Sequence, residues 1–346
     1  MTTAMTTPAT TATTTNAATT TVRLRAMATD VTLTVVAAAE QARPVLDRAA
    51  AVFSRIEAAC TRFAPTSPLM TANAAPQEWH VLPPECFEAV AEAWHAYQQT
   101  DGLFDPRVLD TLVRLGYDRT LAFDGTPVAV RPPRTSGEPA TGARPGAPDR
   151  KVARPWRPEL DAARHAVRLG DRAIDLGGIG KGLAVRRAAT ELATLGVPFL
   201  VEAGGDLAVG GDGPDGEGWL VGVEDPLPGT GHRPDPVAVL RLADLSCATS
   251  SVRVRHWQAD GRPVHHLIDP RTGDSSRTGL QSVTVVATDA AAAEVWSKAL
   301  FILGRADIEA ACRTRGLAAL WVQDDGDIGA SAAMRCHLVW EAGHAA

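Results

Sequence analysis

The sequence predicts an α+β fold, and two observations carry that expectation. Apolar stretches of strand length occur in runs, with amphipathic helical stretches interspersed rather than alternating with them one for one, which favours α+β over a parallel α/β sheet. The chain is also long and apolar enough, at 346 residues of which 45% are hydrophobic, to bury a full core without disulfides or a structural metal. One large domain and two closely packed halves are both compatible with that length.

Residues 1–21 are low-complexity Thr and Ala without charge, so they are expected to form a disordered tail or to reflect an over-long gene start. Folded structure is expected from about Val22. Val31, Leu33 and Val35 alternate as a strand, preceded by Met27. Val45, Leu46, Ala49, Val52, Phe53, Ile56, Ala59 and Cys60 recur at three- and four-residue steps and predict a core-facing helix over 42–63. Residues 61–70 read as a polar, proline-broken loop. Phe87, Val90, Trp94 and Tyr97 mark one side of a second amphipathic helix over 84–100. Asp105 stands just before Pro106, where it either caps the next helix or receives a ligand hydroxyl. Residues 131–158 set prolines and glycines among arginines and predict an inserted, mobile loop.

The densest signal lies in 171–211. It reads as a short strand ending at Leu176, a turn at Gly177 and Gly178, a helix over 181–195, and an apolar strand Phe199–Ala203 that runs into a second turn at Gly204, Gly205 and Asp206. Paired glycines let the backbone approach a ligand closely, and a helix N-terminus favours negative charge, so the stretch predicts a site for a phosphate-bearing ligand. A P-loop would need Gly at 175 and Ser or Thr at 182, where Asp175 and Gly182 stand. A dinucleotide fingerprint would read G-x-G-x-x-G, whereas Gly178, Gly180 and Gly182 are spaced G-x-G-x-G.

Further on, 219–223 and 237–242 read as strands separated by a proline-rich extension over 226–236, and 245–251 reads as a turn of small residues. Residues 252–256 and 264–268 predict a hairpin around Asp260 and Gly261. A buried strand over 282–286, a helix over Ala290–Leu303 and two or three last strands within 317–339 complete the pattern.

Composition excludes several classes of function. The net charge is −6, from 34 Lys+Arg against 40 Asp+Glu, with no long basic cluster, which argues against nucleic acid as a partner. Cys60, Cys86, Cys247, Cys312 and Cys336 are scattered and never form C-x-x-C, as expected of small buried hydrophobes in a reducing compartment. No stretch reaches the ~18 apolar residues of a membrane span and no apolar segment follows the first methionine, so a cytoplasmic location without a membrane span is expected.

Four signals stand together: Phe104-Asp105-Pro106, the run from Asp175 to Gly182, Gly204-Gly205-Asp206, and His265-His266-Leu267-Ile268-Asp269-Pro270-Arg271-Thr272-Gly273. In this order and at these intervals the chain resembles the ApbE family, the FAD:protein FMN transferases, over about 22–340 apart from the proline-rich insertion, with 341–346 a tail. The resemblance implies a single globular domain of mixed, mainly antiparallel sheets with packed helices. It implies FAD as substrate, magnesium (Mg2+) at the pyrophosphate, and transfer of FMN to a Ser or Thr of an acceptor protein as a phosphoester, with release of AMP. By position it sets Met27 and Phe63 beside the flavin, and Leu103, Phe104 and Asp105 at the adenosine side. Asp175 and Lys181 fall at the phosphates, the Gly178 carbonyl at the metal, and Ile268 against the cofactor. His266 matches the general base. A hydroxyl attacking a pyrophosphate needs such a proton acceptor, and cationic neutralisation of the leaving AMP.

Against the family pattern A-D-x-x-[AD]-T, this chain reads Ala293-Glu294-Val295-Trp296-Ser297-Lys298. Glu294 offers a hard oxygen ligand with a longer reach and Ser297 a hydroxyl, while a protonated Lys298 cannot ligate magnesium. Either the metal is held by fewer side chains, or the Lys298 ammonium neutralises part of the pyrophosphate. Ser250-Ser251-Val252 stands where many relatives have Ser-Gly followed by an aromatic. Two further readings stay open: an FAD-binding protein without turnover, and an FAD pyrophosphatase in which water replaces the acceptor hydroxyl.

Overall fold

The computed structural model describes residues 18–121, 129–130, 155–227 and 236–342. Most of the expected insertion, part of the proline-rich extension, most of the expected N-terminal tail and the last residues of the C-terminal tail lie outside them. The tail expected over 1–21 overlaps the first strand, Thr20–Ala26, in which Thr20 and Thr21 already pair with Val35 and Thr34.

An 8-stranded sheet forms the frame, in the spatial order Thr20–Ala26, Thr29–Val35, Phe199–Ala203, Asp206–Gly210, Ser246–Ser251, Leu280–Ala287, Ala318–Gln323, Ile328–Ala330. Every neighbouring pair is antiparallel. Both faces are covered, and the alternation of strand side chains shows it. In Asp206–Gly210, Ala208 faces a core shared with the helices, whereas Leu207 and Val209 face a second core. That second core is closed by a three-stranded sheet of Trp219–Glu224, Pro236–Leu242 and Leu338–Glu341.

On the helical side, Ala39–Cys60 packs on Gly180–Ala193, which packs on Ala290–Leu303. The stripe read from the sequence is the buried face of the first helix: Leu46, Ala49, Phe53 and Ile56 are all at or near zero exposure. Burial of each larger side chain of this kind contributes ~1.5–3 kcal/mol. The fold is thus the α+β architecture of antiparallel sheets and packed helices that the sequence predicts.

Local differences have identifiable causes. Residues 173–176 form no strand: the Ile174 backbone pairs in both directions with the Asn73 side chain, and the Asp175 N–H donates to the Pro106 carbonyl. These contacts satisfy the backbone without a ladder. Ser246–Ser251, expected as a turn, is a central strand between Asp206–Gly210 and Leu280–Ala287. Its small residues let the Ala290–Leu303 helix approach closely enough for Ser250 and Ser297 to share a hydroxyl hydrogen bond of 2.9 Å. Within the expected loop, Pro68–Ala74 is a short helix whose start is capped by Ser67 accepting the Met70 N–H. The expected hairpin turns at Asp260–Gly261, but its strands are His256–Ala259 and Arg262–His265. Ile308–Arg315 adds a helix ahead of the last strands.

Candidate active site

The sequence signals meet at one cavity of about 460 Å³, lined among others by Met27, Phe63, Leu103, Phe104, Asp105, Asp175, Gly178, Lys181, His266, Ile268 and Lys298. A volume of this order suits a ligand with a ring system and a charged linker. Glu294 and Ser297 are not part of its wall; both lie buried behind it, at 2% and 1% exposure.

The rim is built by the hairpin between Thr20–Ala26 and Thr29–Val35. Its two turn residues, Met27 and Ala28, both take positive φ, 53° and 58°. For residues with a Cβ this costs ~1 kcal/mol each, and such strain is commonly held at ligand sites. It places Met27 on the cavity wall. Opposite, Phe63 sits 5.8 Å from the Tyr117 ring, and the Arg62 guanidinium lies over both rings at 4.2 and 4.3 Å.

Arg62 also ties this wall to the glycine turn. Its Nε pairs with Asp175 at 3.3 Å and its Nη1 donates to the Tyr117 carbonyl, while Nη2 is buried without a partner among the described residues. A buried donor left unpaired costs ~1–3 kcal/mol, so this atom marks a place where a ligand acceptor would be favourable. The other Asp175 oxygen accepts the Gly177 N–H and holds the turn. Asp105 is bound to its own neighbour: its carboxylate accepts the Arg107 N–H and two guanidinium N–H groups.

Below the turn lies a buried ion network. Lys181 pairs directly with Asp206 and stands 3.4 Å from Glu294, whose second oxygen accepts the Gly182 N–H at 2.8 Å. One N–H of the helix N-terminus that the sequence offered to a phosphate is therefore already taken by the protein's own carboxylate. Burial disfavours the charge on Lys181, but the attraction of Asp206 and Glu294 outweighs it and raises the Lys181 pKa. Burial likewise acts to raise the Glu294 pKa, but Lys181 and Lys298 outweigh it and keep this carboxylate below its usual range.

On the facing wall, Ile268 packs with Trp257, Val264 and Tyr117, and the Asp269 two residues before Arg271 holds the loop by pairing with that guanidinium. His266 makes two contacts with the Arg255 carbonyl, from its backbone N–H and from Nδ1, each at 3.2 Å. A carbonyl only accepts, so Nδ1 carries the proton and Nε2 presents a lone pair. Burial, aided by the positive charges of Arg255 and Lys298, pulls the His266 pKa well below its ordinary value. The imidazole is thus neutral and oriented, with an unprotonated Nε2.

Sequence reasoning passed over Arg62, Tyr117 and Arg255, which also line the cavity. Arg255 has no hydrogen-bond or ion-pair partner for its guanidinium among the described residues. Nothing local in the sequence singles it out; only the hairpin that carries His256 and His265 brings it beside His266.

The metal implied by the resemblance meets a donor set that does not suit it as arranged. Both Glu294 oxygens are engaged, by Lys181 and by Gly182, and Asp206 is paired with Lys181. The Ser297 hydroxyl is shared between Ser250 and the Glu294 carbonyl. The Lys298 side chain lies against Gly178, where a Cβ would come within 3.0 Å of its Cε. A cation at the Gly178 carbonyl would have to enter beside that ammonium.

The chain matches proteins of the same architecture. A structure of the ApbE protein from Thermotoga maritima superposes with a TM-score of 0.76 at 25% identity, covering 92% of this chain and 99% of that one. The fold is shared too with the Pseudomonas stutzeri flavinyl transferase ApbE, with a TM-score of 0.74 at 24% identity over 92% of this chain and 96% of that one. Curated relatives named FAD:protein FMN transferase include one from Salmonella typhimurium, 31% identical over 160 residues, 46% of this chain and 45% of the relative. Another, from Treponema pallidum, is 34% identical over 182 residues, 49% of each. The matched stretch thus spans about half the length of these curated relatives. The profile of the ApbE family, by contrast, matches residues 27–321, from the strained rim turn through the glycine turn and the His266 hairpin to the helix of Glu294 and Lys298. On that match the chain belongs to the ApbE family.

Proposed function

We propose that this chain is an FAD:protein FMN transferase, moving FMN from FAD to a Ser or Thr hydroxyl of an acceptor protein and releasing AMP. The observation that carries the reading is the meeting, in the lining of one cavity, of a neutral His266 with an available Nε2 and the cationic side chains of Arg255 and Lys298.

In this reading the isoalloxazine lies between Met27 and Phe63, Ile268 packs against the cofactor, and Leu103 and Phe104 take the adenosine side. Asp105 contributes by fixing the turn through Arg107. The Asp175 turn and Lys181 stand at the diphosphate. The acceptor oxygen attacks the phosphorus that bears the riboflavin; the new P–O bond forms as the bond to the bridging oxygen breaks. The hydroxyl proton passes to His266 Nε2, and the bridging oxygen leaves on AMP, its charge met by the surrounding cations. General-base assistance of this kind contributes ~10²–10⁴ in rate. Magnesium, expected at Gly178, Glu294 and Ser297, would add charge neutralisation at the diphosphate, but the Glu294 carboxylate and the Ser297 hydroxyl are already engaged by Lys181, Gly182 and Ser250.

The acceptor is a protein, and no nucleic acid has a role. Among the described residues no helix is long and apolar enough to cross a membrane. A cytoplasmic location is part of the proposal, supported by five free cysteines, four of them buried.

The test is incubation of the purified chain with FAD, with and without an acceptor domain, followed by separation of nucleotides. AMP released only with acceptor, and no free FMN, supports transfer. AMP with equimolar free FMN in either arm indicates hydrolysis, and FAD bound without AMP indicates a binding protein.

A further inference from the structure

Lys298 occupies an unusual position. It projects from the buried face of the Ala290–Leu303 helix, one residue after Ser297, and its aliphatic chain lies against Gly178 and the Phe104 side of the cavity. Its ammonium has no hydrogen-bond or ion-pair partner among the described residues, although it lines the cavity. Arg255, in the lining of the same cavity, is likewise without a side-chain partner among them.

Two cations that face one space repel each other, and neither is neutralised by contact. Asp206 and Glu294, the carboxylates that act on Lys298, are already bound to Lys181, and burial together with the charges of Lys181 and Arg255 pulls the Lys298 pKa below its ordinary value, so the ammonium gains from an anion in the cavity. Counting Lys181 and Lys298 against Asp206 and Glu294 gives two positive and two negative charges, so the buried network is balanced with Lys298 in place. The Arg255 guanidinium adds one positive charge to that lining, so a divalent cation beside Gly178 would bring the excess to three and would lie against the ammonium. A diphosphate, by contrast, is attracted by both the Lys298 ammonium and the Arg255 guanidinium, neither of which has an ion-pair partner among the described residues.

We infer that this chain binds the diphosphate of FAD without a divalent cation, the Lys298 ammonium and the Arg255 guanidinium supplying the positive charge that faces it beside Gly178. The inference rests on the flavin-transferase reading of the cavity. It makes Lys298 and Arg255 ligand-binding groups, with Lys298 positioned by its packing on Gly178 and Arg255 by the backbone that also orients His266.

The experiment measures FAD and riboflavin binding to the full chain by flavin fluorescence, in excess EDTA and in millimolar MgCl₂, for the native protein and for Lys298→Gln and Arg255→Gln. The expected result is FAD affinity in EDTA within about twofold of that in MgCl₂. Each substitution is expected to weaken FAD about tenfold or more while leaving riboflavin, which lacks phosphate, unchanged. FAD binding that requires magnesium in the native protein, or Lys298→Gln that binds FAD normally with riboflavin binding intact, overturns the inference and leaves the flavin reading standing. Failure of the native protein to bind either flavin overturns the reading itself. Because the EDTA arm uses the native chain, the inference remains decidable even if a variant does not fold.

Discussion

Replacing Gly182 by alanine should both destabilise the protein and disorganise the cavity. A Cβ at 182 would stand 2.6 Å from the Ala290 carbonyl oxygen, 2.8 Å from the Ala291 Cα and 3.0 Å from the Ala290 carbonyl carbon. All three are backbone atoms of the helix Ala290–Leu303, so no side-chain rotation relieves the contact. The two helices must separate by roughly half an ångström or more, an overpacking that typically costs ~1–3 kcal/mol. The same shift stretches the bond from the Gly182 N–H to Glu294, a charge-assisted interaction of ~1.5–3 kcal/mol. Together about 3–5 kcal/mol is expected, a large share of the ~5–15 kcal/mol of a folded domain. Gly178→Ala provides the contrast, because its nearest obstacles are the ends of the Lys298 and Phe104 side chains. It should cost ~1 kcal/mol or less in stability while displacing Lys298. Urea titrations of the two variants give the answer. A Gly182→Ala protein within ~1 kcal/mol of native would refute the close-approach argument.

Other expectations concern the site. His266→Ala should leave FAD affinity within about threefold and lower the rate of AMP release by ~10²–10⁴, read from initial rates with saturating acceptor; native turnover would remove the general-base role. Because the folded pKa of His266 lies below its unfolded value, its contribution to stability is full above about pH 6.5 and is lost as pH falls through the folded pKa. Between pH 6.5 and 5.5 the native protein should therefore lose more stability than His266→Gln in urea titrations, and equal losses would contradict a neutral imidazole of lowered pKa. Asp175→Ala leaves the buried Arg62 guanidinium without its carboxylate. It should cost ~3 kcal/mol and weaken FAD binding by equilibrium dialysis, and no change in either would show that the pair does not hold the turn.

What the sequence made legible, and what it did not, follows from the range of the interactions involved. The first long helix could be read because its stripe is a local property, and Phe199–Ala203 and Ala290–Leu303 because each is bounded by glycine or an N-cap. The Pro68–Ala74 helix carried a readable signal, Ser67 followed by Pro68, which the proline-broken composition of its surroundings obscured. Ser246–Ser251 had no local signal: its small residues resemble a turn, and only a strand partner on each side together with a close helix makes it a strand. The same holds for the site. The short motifs located the cavity wall by wall, whereas the Lys181, Asp206 and Glu294 network and the Arg62 to Asp175 pair join residues far apart in the chain. Glu294 illustrates the limit: its chemistry suggested a metal ligand, and its partners reveal an acceptor for a helix N-terminus.

The most direct measurement is mass spectrometry of an acceptor domain after reaction with FAD and this chain, with fragmentation to locate the added group. The expected product is an acceptor heavier by one FMN moiety on a single Ser or Thr, formed with AMP and abolished in His266→Ala. An unmodified acceptor while the native protein consumes FAD would contradict it.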